Sequence, residues 1–89
     1  MNLKPNWILQ IDPRVYKSLK RIPQEDNKRI VLTIKTLADN PYSGDIQKIK
    51  GEVNVWRRRI GSYRIFFEAY PTEKIVFVFH VERRTSTTY

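Results

Sequence analysis

Residues 6–11, NWILQI, alternate loosely between apolar and polar positions. That period predicts a first strand turning Trp7, Leu9 and Ile11 to one face. Asp12 followed by Pro13 supplies an N-cap and a proline at the first helical position, so a helix starts there. Val15, Leu19 and Ile22 then fall at i, i+4 and i+7 and make one apolar stripe, which Pro23 interrupts. Beyond the proline, Glu25 and Asp26 suit the first turn of a second helix. Its stripe is Ile30, Val31, Ile34, Leu37 and Ala38, and Asn40-Pro41 ends it. The two helices are expected to form a hairpin packed on one face of a sheet.

Residues 41–53, PYSGDIQKIKGEV, mix turn formers with two lysines and are expected to be a loop. After them the period changes to two. Residues 54–60, 63–70 and 75–82 read as strands, joined by Gly61-Ser62 and by Pro71-Thr72-Glu73-Lys74, turn signals at hairpin spacing. The expected order is β-α-α-β-β-β, an N-terminal strand and helical hairpin followed by a three-stranded antiparallel meander. This is the α+β class. No repeat or linker divides the chain, and its 89 residues make one domain, 1–89, with a single core.

Composition narrows the chemistry. A hydrophobic fraction of 40% with 12% aromatic residues argues for a folded chain. With no cysteine there is neither a disulfide framework nor a thiolate nucleophile, and with one histidine, His80, a histidine-based metal site is not expected. No apolar run approaches the roughly 18 residues of a membrane span, and MNLKPNW has no apolar leader core. The expected setting is cytoplasmic, with no membrane partner and no cofactor.

Charge is the first functional signal. Seventeen Lys and Arg against nine Asp and Glu give a net charge of +8 and a pI near 10.1, in the range of nucleic-acid binders. The excess concentrates between Lys48 and Arg64, where Lys48, Lys50, Arg57, Arg58, Arg59 and Arg64 meet the single acid Glu52. If Gly61-Ser62 is a two-residue loop, Ile60 faces Tyr63, Arg59 faces Arg64 and Arg57 faces Phe66. Arg57, Arg59, Arg64 and Phe66 then share one face, while Trp56, Ile60, Tyr63, Ile65 and Phe67 share the other, the core. Arg58 falls on the apolar face by this parity, at a bulge or at the sheet margin.

Like charges set directly opposite one another destabilise a sheet. A charged edge strand that resists aggregation is the plain explanation, but lysine serves that purpose better. Planar guanidinium groups are suited to bidentate capture of phosphate. A polyanionic partner is therefore expected, with Phe66 placed to stack on a base as aromatics do in single-stranded RNA recognition.

The stretch KIKGEVNVWRRRIGSYRIFFEAY, followed by IVFVFHVERRTSTTY, resembles the RelE/ParE superfamily of toxin–antitoxin toxins. A basic strand, a turn ending in Tyr-Arg, a hydrophobic strand and a C-terminal arginine followed by an aromatic recur there in that order. The resemblance implies a ribosome-dependent endoribonuclease that cleaves mRNA in the A site without a metal. It implies two partners, a cognate antitoxin and the ribosome carrying mRNA. By motif, Arg57 and Arg59 stand where the best-known RelE toxin has lysines, Arg64 matches an arginine that stabilises the transition state, and Arg83, six residues before Tyr89, matches the proposed general acid. Tyr89 matches the tyrosine that orients the nucleotide.

The arginines depart from the pattern in one respect, since a guanidinium stays protonated and makes a poor general base. Glu52, as in a related toxin with a similar Trp-x-Arg-Arg-Ile strand, or His80 are the candidate bases, and ribosomal RNA is another source. Lys48, Lys50, Arg58, Phe66 and Arg84 are the expected RNA contacts. Two further readings stand beside this one. The first is a ParE-like inhibitor of DNA gyrase on the same fold, a branch that generally lacks the arginine and terminal tyrosine set. The second is a basic protein that binds RNA or ribosome without catalysis.

Overall fold

The computed structural model describes residues 6–83. Its elements are β1 (Ile8–Ile11), α1 (Pro13–Lys20), α2 (Gln24–Leu37), β2 (Ile46–Lys48), β3 (Val55–Ile60), β4 (Tyr63–Tyr70) and β5 (Ile75–Arg83). The strands form one sheet in the order β1-β5-β4-β3-β2, with both helices against one face. The α+β class and the helical hairpin agree with the sequence.

Local chemistry sets the helix boundaries. Asp12 Oδ1 accepts the backbone N–H of Arg14 at 2.9 Å and caps α1, while Pro13 needs no hydrogen-bond partner at the first turn. Val15 and Leu19 are the buried positions of α1, and Ile30, Thr33, Ile34 and Leu37 those of α2. Asn27 Nδ2 donates to the Leu19 carbonyl at 2.7 Å and ties the two helices together. Their apolar faces meet Tyr63, Ile65, Phe67 and Ala69 of β4 and Val76, Val78 and Val81 of β5, the centre of the core. Trp7 joins that core, with Leu9 and Ile11 packed against it as the strand alternation predicts.

The sheet differs from expectation in two ways. The predicted loop 41–53 contains β2, a three-residue edge strand whose register is Ile46 to Arg58, Gln47 to Arg57 and Lys48 to Trp56. A strand that short gives too few alternations to stand out from its turn formers. The sheet is also mixed, because beside the expected antiparallel meander β1 pairs with β5 in parallel, Ile8 opposite Ile75 through Ile11 opposite Val78. Parallel neighbours need a long crossover. Everything from α1 to β4 serves as that crossover, and no local sequence signal announces it.

The β3–β4 hairpin has the predicted register, with Ile60 opposite Tyr63, Arg59 opposite Arg64 and Arg57 opposite Phe66. Between β4 and β5 the register shifts at Phe66/Phe67, so His80 faces Phe66 while Val78 faces Phe67. Phe79 is the extra residue of this bulge, which brings both Phe79 and His80 against the Phe66 ring, at 6.4 and 5.6 Å between centroids.

Candidate active site on the open face of the sheet

The face turned away from the helices carries the basic cluster. Alternation along β4 buries Tyr63, Ile65, Phe67 and Ala69 and leaves Arg64, Phe66, Glu68 and Tyr70 on the other side. Cross-strand partners share a face. One row across the sheet is therefore Gln47, Arg57, Phe66 and His80, and the next is Arg59, Arg64 and Glu82. Two rows of side chains from four strands make a shallow platform of cations bordered by an aromatic patch.

Each arginine on the platform has an acceptor beside it. Arg57 Nη2 donates to Gln47 Oε1 at 2.7 Å, Arg59 Nε to Asp45 Oδ2 at 2.9 Å, and Arg64 Nη1 to Glu82 Oε2 at 3.4 Å. Glu82 also reaches across to His80, with Oε1 3.0 Å from Nε2. Among the described residues, the Nε atoms of Arg57 and Arg64 are covered by protein and have no hydrogen-bond partner. Those nitrogens are closed to a ligand, as is the Nε of Arg58, but the Arg59 and Arg64 side chains are 42% and 31% exposed, so an anion seated on the platform meets their outer nitrogens.

Several expected site residues lie elsewhere. Arg58 stands on the helix-side face opposite Ile65, where its Nη1 donates to the Ser43 carbonyl at 3.2 Å. Its guanidinium lies over Gly44, which adopts φ +82, and a Cβ at that position would collide with it. Arg58 clamps the loop that leads into β2 and is not part of the platform. Lys48 faces the same way as its partner Trp56, and its Nζ donates to the Glu52 carbonyl at 2.7 Å. Lys50 and Glu52 sit in the exposed β2–β3 turn, at the end of β3 opposite Arg59.

Arg83 requires a correction. The expectation set it beside Arg57, Arg59 and Arg64, but it pairs with Tyr63, whose ring faces the helices. Arg83 therefore stands on the opposite face, at the rim of a small cleft with Ser18, Arg21, Ile22 and Pro23. The alternation of β5 continues one residue past its expected end, and this decides the side on which Arg83 emerges. Arg84 and Tyr89 lie outside the described residues.

Three members of the site were not singled out from the sequence. Gln47 and Asp45 were hidden in the predicted loop. Glu82 was legible, since it stands two residues from His80 and alternates with the buried Val81.

A tyrosine anchors the platform from below. Tyr63 precedes Arg64, and its hydroxyl donates to Asp26 Oδ2 of α2 at 3.0 Å. Burial, reinforced by the hydrogen bond to Asp26, pushes the Tyr63 phenol upward from its usual value. Among the described residues, no group of three or more His, Asp or Glu side chains could hold a metal ion. No described helix is long and apolar enough to cross a membrane.

Comparison with known proteins defines the class. Residues 9–87 match the family of the ParE toxin of type II toxin–antitoxin system, parDE. The chain is 33% identical over 79 residues to RelE1, a candidate toxin of Methanocaldococcus jannaschii, an alignment spanning 85% of this chain and 88% of that protein. The crystal structure of the archaeal RelE–RelB complex from Pyrococcus horikoshii OT3 shares the fold at a TM-score of 0.79 and 21% identity, covering 92% of this chain and 99% of that one. The RelB–RelE antitoxin–toxin complex from Methanococcus jannaschii matches at a TM-score of 0.71 and 30% identity over 84% of this chain and 90% of that one.

The fold and its basic face thus define a small toxin of the type II toxin–antitoxin class. The chain belongs to the RelE/ParE superfamily.

Proposed function

We propose that this chain is a ribosome-dependent endoribonuclease that cleaves mRNA in the A site and so inhibits translation in the cytoplasm. The observation that carries the reading is the platform itself, on which Arg57, Arg59 and Arg64 share one face and the directly opposed Arg59 and Arg64 keep part of their side chains exposed. A ribose 2′-OH attacking the adjacent phosphate in line needs positioning and stabilisation of a phosphorane-like dianion. Fixed cations supply both without a metal, and a preplaced donor contributes about 3 to 4 kcal/mol in comparable oxyanion sites. Arg59 and Arg64, directly opposed, hold the phosphate, and Arg57 holds its neighbour along the strand. Phe66, between Arg57 and His80, is the stacking surface for a base.

The remaining roles come from family resemblance. Tyr89 packs on the nucleotide, Arg84 contacts RNA, and Arg83 reaches it from the rim of the sheet rather than from its face. Lys48, Lys50 and Arg58 lie off the platform and contribute only long-range attraction. The cognate antitoxin is the second partner, as the RelB complexes of the structural relatives suggest.

Purified protein added to a translating extract with a defined mRNA tests the reading. Primer extension should show cuts at A-site codons, and Arg64→Ala should abolish them while leaving the fold unchanged. Because the matching family carries the ParE name, action on DNA gyrase is the second reading. Supercoiling inhibition without mRNA fragments would establish it, and ribosome binding with neither effect would indicate a non-catalytic binder.

A further inference from the structure

The platform supplies cations, and cleavage also requires a group to take the 2′-OH proton. We infer that His80 is that group and that Glu82 orients it, an assignment that rests on the ribonuclease reading. Glu82 divides its two oxygens between two functions: Oε2 lies 3.4 Å from Arg64 Nη1 and Oε1 lies 3.0 Å from His80 Nε2. With the Nε2 proton directed at the carboxylate, Nδ1 keeps a lone pair. A carboxylate hydrogen-bonded to one ring nitrogen fixes the tautomer and stabilises the imidazolium that forms when the other accepts a proton.

The bulge at Phe66/Phe67 makes this arrangement possible. It sets His80 in the row of Arg57 and Phe66, with Phe66 between them, so His80 and Arg57 stand roughly 10 Å apart, about two strand spacings. A nucleotide whose base rests on Phe66 and whose phosphate lies toward Arg57, Arg59 and Arg64 presents its ribose toward His80. The imidazole is 52% exposed and borders an open cleft of about 280 Å³ between β5 and α1, formed with Arg14, Val15, Ser18 and Phe79. The charged groups around it are Glu82 on its own strand, Arg64 on β4, Arg57 in its row on β3 and Arg14 on α1. Glu52 and Arg83, the other proton-transfer candidates from the sequence, stand at a hairpin tip and on the opposite face.

In the step itself the 2′ oxygen gives its proton to Nδ1 of His80 and forms a bond to phosphorus. The P–O5′ bond breaks and its electron pair leaves on the 5′ oxygen, which takes a proton from solvent water. The hydroxide so formed removes the proton from the imidazolium. The products are a 2′,3′-cyclic phosphate and a 5′-hydroxyl end, and the site is restored. His80 is the catalytic residue in this scheme and Glu82 a positioning residue.

The test is single-turnover cleavage of ribosome-bound mRNA by the full-length protein as a function of pH, comparing wild type with His80→Gln, His80→Ala, Glu82→Gln and Arg64→Ala, each shown to be folded by circular dichroism. His80→Gln should slow cleavage about 10²- to 10⁴-fold and remove the acid limb of the profile. Added imidazole should restore part of the activity of His80→Ala, and Glu82→Gln should displace the limb without removing it. Wild-type cleavage that needs Arg64 but keeps its rate and pH profile in His80→Gln would overturn the assignment and leave the ribonuclease reading intact. A loss in His80→Ala with no imidazole rescue and an unchanged profile would make the histidine structural, which also overturns it. Wild-type protein that cuts no mRNA would remove the ribonuclease reading and this assignment together.

Discussion

Arg64 and Glu82 stand directly opposite each other on β4 and β5, with Nη1 of the arginine 3.4 Å from Oε2 of the carboxylate. Their side chains are 31% and 38% exposed, so water screens the pair, and such pairs contribute only about 0 to 1 kcal/mol to stability. The pair matters instead for what the guanidinium is free to bind. Glu82→Gln should therefore leave the urea midpoint nearly unchanged and tighten RNA binding, because a competing anion has left Arg64. If the same substitution slows cleavage, binding and catalysis separate at one residue. Fluorescence anisotropy with a short single-stranded RNA, alongside the cleavage assay, measures both.

The two arginine rows should also be visible in salt. Each phosphate neutralised on single-stranded nucleic acid contributes a slope of about 0.7 to the dependence of log affinity on log salt. Replacing Arg57, Arg59 or Arg64 singly by alanine should lower the slope by about that amount. Arg58→Ala should leave it nearly unaltered, because Arg58 lies on the other face and donates to the Ser43 carbonyl. An Arg58 effect equal to that of Arg59 would mean that the RNA path is not confined to the open face. Titrations of the four variants across a threefold range of salt distinguish these outcomes.

How legible this site was depended on the length of each element. The β3–β4 hairpin is long and its two-residue turn fixes the register, so the pairing of Arg59 with Arg64 followed from alternation alone. The β4–β5 partners did not follow, because a bulge shifts the register by one residue and nothing in FFEAY or IVFVFHVER declares it. His80 came from the sequence as an isolated candidate, and only the shifted register showed its place in the row of Phe66. Asp45 and Gln47 were invisible for a different reason, since the strand that carries one and follows the other is three residues long. Arg83 was assigned by resemblance rather than by side-chain parity. Parity places it with Tyr63.

Tyr63 joins the platform to the helices. Its hydroxyl donates to Asp26, and its ring is buried one residue before Arg64. The folded state holds this phenol neutral, by burial first and by the Asp26 hydrogen bond second, so its pKa lies above the value near 10.0 expected in the unfolded chain. The stabilisation is therefore complete below pH 10 and lost as pH rises from there toward the folded value. Tyr70, raised by its hydrogen bond to Glu68 and by burial, acts in the same direction. Tyr63→Phe should thus lower stability at neutral pH and flatten, without abolishing, the alkaline fall of the urea midpoint. Thermal unfolding between pH 8 and 11 would show the two profiles converging.

At the acid end the corresponding group is Asp12. Its carboxylate accepts Arg14 Nη2 at 2.8 Å, Arg14 Nε at 3.1 Å and the Arg14 backbone N–H at 2.9 Å, closing the first turn of α1. The side-chain hydrogen bonds of Arg14, and next its backbone N–H, lower the Asp12 pKa from 3.8 to about 2. A depressed carboxylate stabilises the fold above its unfolded value, and the contribution is lost as pH falls through the folded one. Asp12→Ala should accordingly unfold more easily than wild type at pH 5 to 7. The gap should close between about pH 4 and pH 2. α1 also carries Arg14 to the cleft between α1 and β5 that His80 borders, beside the platform rather than on it. The cleavage rate of Asp12→Ala at neutral pH, measured where both proteins are fully folded, should fall less than that of His80→Gln, because the substitution loosens the cleft wall and removes no reacting group. A loss equal to that of His80→Gln would show that the α1 wall takes a direct part in catalysis.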